Sequence, residues 1–442
     1  MDDSIAAAIA DILGRAGQEC ADVVRRAQRR DDASLAGLEV GVRDAVLRIG
    51  QHVMAAALRA RQRFEPAPSC AHCGGATVRH EARARTVLTL VGPVAVPCLT
   101  FRCGACGRAT PGELRAELVH GCTPGFAECV ARQGARLAFR QAEQTLHDFG
   151  LTASDNLVAD LTRAVGGSRI AEQEVEAEAV ATGAVELAPV AAPERLYLEA
   201  DGFRALVSDG GGGRRQQQWH EVRAGACFTT AARRPDAQGR APLPQHFSCR
   251  ALWGDCDAFD RWFYPEAQRR GVNVAQEVVL LCDGAPWLMT HLRAYAPPGA
   301  RVVEILDWYH ATENLAKAAR ARHPADPAAF ERAFDQVKAH LWHGRASAVV
   351  RTLRAWWRAA PAGGEALRQV IGYLWQNRAR MRYPRLRAGG YHIGSGQIES
   401  LCKQLGTRVK GADRLWSRDG LAAVLTLRCQ MITEGAGLPR AA

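Results

Sequence analysis

The chain has 442 residues, 48% hydrophobic and 23% charged, with 57 Lys and Arg against 46 Asp and Glu for a net charge of +11. This balance belongs to a globular chain of two to four domains and excludes a disordered or fibrous one. The longest apolar run, from Val87 to Phe101, is broken by threonines, Gly92 and two prolines, so no membrane span is expected. The acidic opening Met1-Asp2-Asp3 is unlike an export signal and points to a cytoplasmic location.

In chain order, residues 1–66 read as a helical region, in which Leu38, Val42, Val46, Ile49 and Val53 recur at spacings of three and four, the stripe of an amphipathic helix. Pro66 and Pro68 end it, and a packing or oligomerisation arm is the expectation. Residues 67–120 carry Cys70-Ala-His-Cys73 and Cys103-Gly-Ala-Cys106, each followed by a glycine. Two such knuckles facing each other supply four thiolates to one tetrahedral zinc ion. The 29 residues between them exceed the usual ribbon spacing of about 15–20. A β-hairpin, Arg85–Val91 and Val94–Arg102 joined at Gly92-Pro93, accounts for the excess. His72, His80 and Cys98 are competing ligands. A redox Cys-x-x-Cys is the rival reading, but no βαβ pattern surrounds it.

Residues 121–168 read as helices: one over Ala135–Phe149, a turn at Gly150-Leu151-Thr152, and a second helix capped by Ser154 and running to Val165. This spacing suits a helix-turn-helix and equally an ordinary helical hairpin. Residues 169–193, rich in Ala and Glu, read as an acidic linker or solvated helix.

From 194 the pattern changes to alternating strands and helices. Strands are expected at Leu196–Ala200, His220–Thr230, Val278–Cys282 and Arg301–Leu306, with a flexible basic turn at Gly210–Gly213 and Arg214-Arg215. The first part of this region is placed at 194–325, a helical insertion at 326–390, and closing helices at 391–442. Two of the apolar strands end in Asp-Gly, at Asp201-Gly202 and Asp283-Gly284. Strand ends in an α/β sheet are where ligand sites form, although Asp-Gly also makes ordinary turns. Glu399 is the single acid between 371 and 410, among Arg378, Arg380, Arg382, Arg385, Arg387, Lys403, Arg408 and Lys410. An acid amid a basic run suits a metal ion bridging to phosphate. Three converging carboxylates fit two hard divalent cations, Mg2+ or Mn2+, that activate a nucleophile and stabilise the leaving oxygen of a phosphodiester. No G-x-x-x-x-G-K-[ST] loop and no G-x-S-x-G elbow occurs, so neither ATP nor a serine nucleophile is expected.

The segments LEADG (198–202), LLCDGAPW (280–287), ILDWYHATENL (305–315) and GSGQIESLCKQLGTRVKGADRLWSRDGLAAVLTLR (394–428) resemble the DDE transposases of bacterial insertion sequences, the ISKra-type family above all, with mutator-like relatives. The resemblance implies a multidomain α+β and α/β chain: N-terminal helices, a zinc-ribbon-like hairpin, a helix-turn-helix, then a ribonuclease-H-like mixed sheet with an α-helical insertion. It implies Asp201, Asp283 and Glu399 as the catalytic, Mg2+-binding acids, and a structural Zn2+ on Cys70, Cys73, Cys103 and Cys106. Asp307-Trp-Tyr-His310 matches a D-x2-H motif of these families, and Trp416-Ser417 and Arg428 match as well.

The implied activity is DNA transposition: binding of terminal inverted repeats, two-metal strand cleavage and joining of the 3′-OH to target DNA. Double-stranded DNA is the expected partner, in a homodimer or larger assembly associated with the bacterial nucleoid and without membrane or ATP. Expected DNA contacts are His310, Arg378, Arg380, Arg382, Lys403, Arg408, Lys410 and Trp416, the last by stacking on a base, although packing on a helix is the commoner outcome for a tryptophan. His310 is equally compatible with a structural hydrogen bond. A nuclease without integration and a catalytically inactive transposase-derived DNA-binding protein remain the alternatives.

Overall fold

A computed structural model describes residues 3–28, 34–209, 216–230, 234–236, 240–359, 364–411 and 415–435. The basic turn expected at Gly210–Gly213 and Arg214-Arg215 lies outside them. The chain divides into two compact units, Met1–Gly166 and Gly167–Ala442, a coarser division than the segments expected from sequence.

In the first unit α1 (Asp3–Gln28) packs on α2 (Leu35–Arg63), and α2 also lies against the hairpin strand β2. Ser34 caps α2 by accepting the Gly37 N–H at 3.1 Å. The buried side of α2 is not the expected stripe. Val42, Val46 and Val53 are exposed, whereas Ala45 and Leu58 are buried, Leu58 with Val87, Val94 and Val96 of the hairpin. The helix exists, but a residue count alone does not say which of its two apolar sides meets a partner.

Strands β1 (Thr77–Thr89) and β2 (Gly92–Cys103) form a long antiparallel hairpin, to which the short β3 (Ala109–Pro111) adds. Its turn is Leu90-Val91, two residues before the expected position. Thr89 closes the last pair with Gly92, and the Thr89 hydroxyl donates to the Gly92 carbonyl at 2.7 Å. Gly92 takes φ +107°, which favours glycine there. After the short helix α3 (Glu113–Glu117) come α4 (Pro124–Arg136), α5 (Phe139–Asp148) and α6 (Asp155–Ala181).

The helix expected over 135–149 is therefore interrupted: Leu137 and Ala138 are extended, and the bend lets Phe126, Val130, Ala142, Leu146, Val158 and Leu161 share one core. The turn at Gly150 (φ +79°) and the Ser154 cap are present, with Leu157 N–H donating to the Ser154 hydroxyl at 3.3 Å. The acidic stretch from 169 is helical as far as Ala181 rather than a linker throughout.

The second unit is built on a five-stranded mixed sheet of β4 (Leu196–Asp209), β5 (Gln216–Thr230), β6 (Pro244–Trp253), β7 (Glu277–Cys282) and β8 (Arg301–Leu306). The strand order is β6-β5-β4-β7-β8, antiparallel from β6 to β4 and parallel from β4 to β8. Sequence reading missed β6 and α7 (Cys256–Arg269), whose polar and aromatic mix shows neither a clean two-residue nor 3.6-residue period. It also ended β4 too early: the strand runs on through Asp201 and Gly202, because β5 continues to pair with it.

Helices α7 and α8 (Pro286–Ala294) cover one face, where Leu196, Leu198, Leu280, Phe259, Phe263 and Leu292 cluster. The other face carries α9 (Trp308–Arg322), α10 (Pro327–Trp342), α11 (Ala346–Arg358), α12 (Gly364–Gln376), a 3-10 turn at Arg378–Arg380 and α13 (Tyr383–Ala388), packed on Tyr197, Val279, Leu281 and Ile305. On the same face α14 (Gly396–Val409) lies on β4 and β5, and α15 (Arg418–Gly435) on β6. The α9–α13 block interrupts the chain between Asp283 and Glu399.

Candidate functional site

The first candidate site is the cysteine quartet. Each knuckle closes in the same way: Gly74 N–H donates to the Cys70 carbonyl at 2.9 Å, and Gly107 N–H to the Cys103 carbonyl at 3.0 Å, both glycines at φ +70°. All four sulfurs lie within 4.8 Å of one another, with Cys70–Cys106 at 3.6 Å and Cys73–Cys103 at 3.5 Å. A tetrahedron of sulfurs about 2.3 Å from zinc has edges of about 3.8 Å, so the quartet can hold a metal ion such as zinc. A Cβ on Gly75 would come within 3.3 Å of both the Cys73 and Cys103 sulfurs, which accounts for glycine there.

The backbone N–H groups of Cys73 and His72 hold the Cys70 thiol down to about 6, and the N–H of Cys106 lowers Cys103. Cys73 rises to about 12: the Gly75 N–H favours its thiolate, but neighbouring sulfurs, Cys103 first, oppose a second charge so close by. The competing ligands are elsewhere. His72 pairs through Nδ1 with Arg108 at 3.1 Å, His80 is exposed, and Cys98 is buried in the hairpin core.

The second candidate site follows from strand register. Glu199 pairs with Leu281 and Leu281 with Ile305 across the parallel strands. Asp201, Asp283 and Asp307 each follow two residues after these positions, and Asp283 lies close enough for its charge to act on both Asp201 and His310. Asp201 lies mid-strand, and the crevice opens beside it because β7 has ended. Burial raises the Asp201 carboxyl, the Gly202 N–H at 2.7 Å opposes the rise, and the Asp283 charge adds to it. Asp283 also makes the turn that Asp-Gly predicts: its Oδ1 accepts the Ala285 N–H at 2.8 Å. The Asp283 carbonyl accepts the Tyr373 hydroxyl of α12 at 2.6 Å.

Asp307 is fully buried and caps α9 through the N–H groups of Tyr309 and His310. Its Oδ2 lies 2.6 Å from His310 Nδ1, and its Oδ1 accepts the Ser395 N–H at 2.9 Å. Burial alone would raise its carboxyl, but these bonds, that from His310 first, hold it below the usual range. The Asp307 bond, with the charges of Asp307 and Asp283, lifts His310 to about 9 against its burial, so a cationic imidazolium stands beside the acids. The structural hydrogen bond expected of His310 is present.

Glu399 differs. It lies in the first turn of α14 with an exposed side chain, and Lys403 donates to its Oε1 at 2.8 Å. Among the described residues the cysteines are the only group of three or more His, Cys, Asp and Glu side chains gathered as a metal cluster, so the three expected acids do not form one. The backbone of Glu399 is nevertheless at the crevice. Cys402, one turn further along α14, lies beside Asp201, whose charge helps to raise its thiol, and Ile398 N–H donates at 2.9 Å to Glu199 Oε2.

Glu199, which sequence reading passed over, lies on the same side of β4 as Asp201 and is fully buried. Burial pushes its carboxyl up to about 8, and its Oε1 has no partner. The Asp307 and Glu199 carboxylates therefore satisfy two of the free N–H groups at the start of α14, where Ser395 makes no side-chain cap. A Glu inside an apolar strand is the one signal that pointed to it.

Of the expected DNA contacts, Lys410 is exposed near this crevice, its Nζ 5.1 Å from the Phe203 ring and its charge felt by Cys402. Lys403 holds Glu399. Trp416 and Arg408 are corrected: Trp416 is 6% exposed, its Nε1 donates to the Val409 carbonyl at 3.0 Å, and the guanidinium of Arg408, itself 4% exposed, lies 4.7 Å from its ring centre. They pack against each other and offer no free face. Arg380 bonds Glu304 at 2.7 Å and Asn377 at 2.8 Å, Arg378 stacks on Trp375, and Arg382 is exposed. No helix is long and apolar enough to cross a membrane among the described residues. No protein-family model matches this chain, and no curated protein matches it.

Proposed function

We propose that the protein is a DNA transposase of the DDE type, whose second unit is a ribonuclease-H-like core that cuts and joins DNA strands. The observation that carries the reading is the parallel pairing of β4 with β7, which brings Asp283, just past the end of β7, beside Asp201 in the middle of β4, with α14, the helix of Glu399, bordering the same crevice. The strand order β6-β5-β4-β7-β8, three antiparallel strands followed by two parallel ones, supports the same reading. So does a helical block between the second and third acids.

As placed, the acids do not fit a two-metal site: Asp201 and Asp283 are adjacent, but Glu399 is turned away to Lys403. The side chains supply the rest of the chemistry. His310 and Lys410 put positive charge where a phosphodiester would approach two carboxylates, which lowers the repulsion between them. Asp307 and Glu199 fix the start of α14, the helix that carries Glu399. Zinc on the cysteine quartet would tie the hairpin as a structural element.

The outward Glu399 favours one second reading, a transposase-derived protein that binds DNA without cutting it. Incubation with supercoiled plasmid and Mn2+, followed by strand joining with a 3′-OH oligonucleotide, separates the readings. Nicked and joined products support a transposase, nicked products alone a nuclease, and binding without nicking the DNA-binding protein.

A further inference from the structure

The pairing that brings the acids together also sets a second row at the other end of the same strands. Arg195 precedes β4, and Glu277 and Arg301 are the paired first residues of β7 and β8. Glu277 accepts from Arg195 at 2.8 Å and from Arg301 at 3.0 Å. Arg195 is buried, 3.7 Å from the Tyr391 ring centre, and also donates to the carbonyls of Gly389 and Gly390. Beside this row, Glu304 is shared by Arg293 and Arg380. Each glutamate thus serves two arginines and leaves one positive charge over. Arg382 and Arg385 are exposed at the same groove and make no ion pair among the described residues. The groove encloses about 750 Å³.

Six residues of β7 separate Glu277 from Asp283, a distance of about 20 Å at about 3.3 Å per residue. The phosphate at the acids cannot also lie in this groove.

We propose that this groove, with Arg382 and Arg385 at its mouth, is a second binding site for DNA phosphates, separate from the acid crevice and at the opposite end of the same strands. The proposal rests on the DNA-binding reading above.

The test is the salt dependence of binding of the full chain to a fluorescent duplex. Arg382→Ala with Arg385→Ala is expected to reduce the slope of log affinity against log salt by about 2, at roughly 0.9 per phosphate contact. The paired Lys variants should restore it. Arg351→Ala with Arg358→Ala, the same loss of charge at exposed positions on α11, should leave it unchanged. An unchanged slope in the first pair, or an equal fall in both pairs, overturns the groove while leaving DNA binding intact. A wild-type chain that does not bind the duplex overturns the DNA-binding reading together with the proposal.

Discussion

The backbone N–H of Ile398 donates at 2.9 Å to a carboxylate oxygen of Glu199, a side chain with no exposure to solvent. That bond ties the helix that carries Glu399 to the strand that carries Asp201. Glu199→Leu leaves the N–H unpaired in the interior and is expected to lower stability by about 1–3 kcal/mol, measured by urea unfolding. Glu199→Gln keeps an acceptor at the same place and should lose less than half as much. Equal losses would mean that the bond does not hold the helix.

The exposed Glu399–Lys403 pair spans one helical turn, and such pairs contribute about 0.3–0.5 kcal/mol. Losing that pair therefore costs little. Lys403→Ala should leave thermal stability within about 0.5 kcal/mol of wild type, and metal-dependent nicking at or above the wild-type rate. A stability loss of several kcal/mol would show that the outward rotamer is structurally required.

His310 gives a pH dependence of defined sign. Its folded-state value of about 9 exceeds the ordinary imidazole value of 6.5, so its contribution is complete below 6.5 and is lost as pH rises through 9. The ring is 39% exposed, so after solvent screening the effect is about 1–2 kcal/mol. Wild type should lose stability between these pH values relative to His310→Asn, as urea unfolding at stepped pH would record. Parallel curves would contradict a cationic His310.

The cysteine quartet predicts one zinc per chain by elemental analysis of purified protein. Cys73→Ser or Cys106→Ser should lose the metal and lower the melting temperature of the first unit, whereas Cys98→Ser should keep it. Retention of zinc by both knuckle variants would place the ion elsewhere.

Trp416→Ala is expected to cost about 3–5 kcal/mol because the indole is buried, while the folded fraction keeps its affinity for DNA. A selective loss of DNA binding at unchanged stability would restore the stacking role.

The cysteine site was legible in the sequence because both its geometry and its chemistry are local, two knuckles of four residues each. The Asp201–Asp283 pair was legible in part: an apolar strand followed by Asp-Gly marks both positions, but only the pairing of β4 with β7 brings them together. Glu199 was hidden, because a lone acid inside a strand shows its importance only when burial and a distant N–H are known. The side-chain direction of Glu399 follows from a Glu and a Lys four residues apart, a pattern present in the sequence whose competition with a catalytic geometry no spacing rule decides. Trp416 and Arg408 were misjudged because a basic, aromatic run has the same composition whether its side chains face DNA or one another.

The most direct measurement is the conversion of supercoiled plasmid to nicked circles in Mn2+ by the wild-type chain and by Asp201→Asn and Glu399→Gln, each verified as folded and DNA-bound. Loss of a metal-held carboxylate removes several kcal/mol of transition-state stabilisation, so nicking should fall by about 100-fold or more in both variants while DNA affinity is unchanged. A Glu399→Gln protein that nicks at the wild-type rate would contradict the third acid. A wild-type protein that binds DNA and never nicks it would contradict the enzyme.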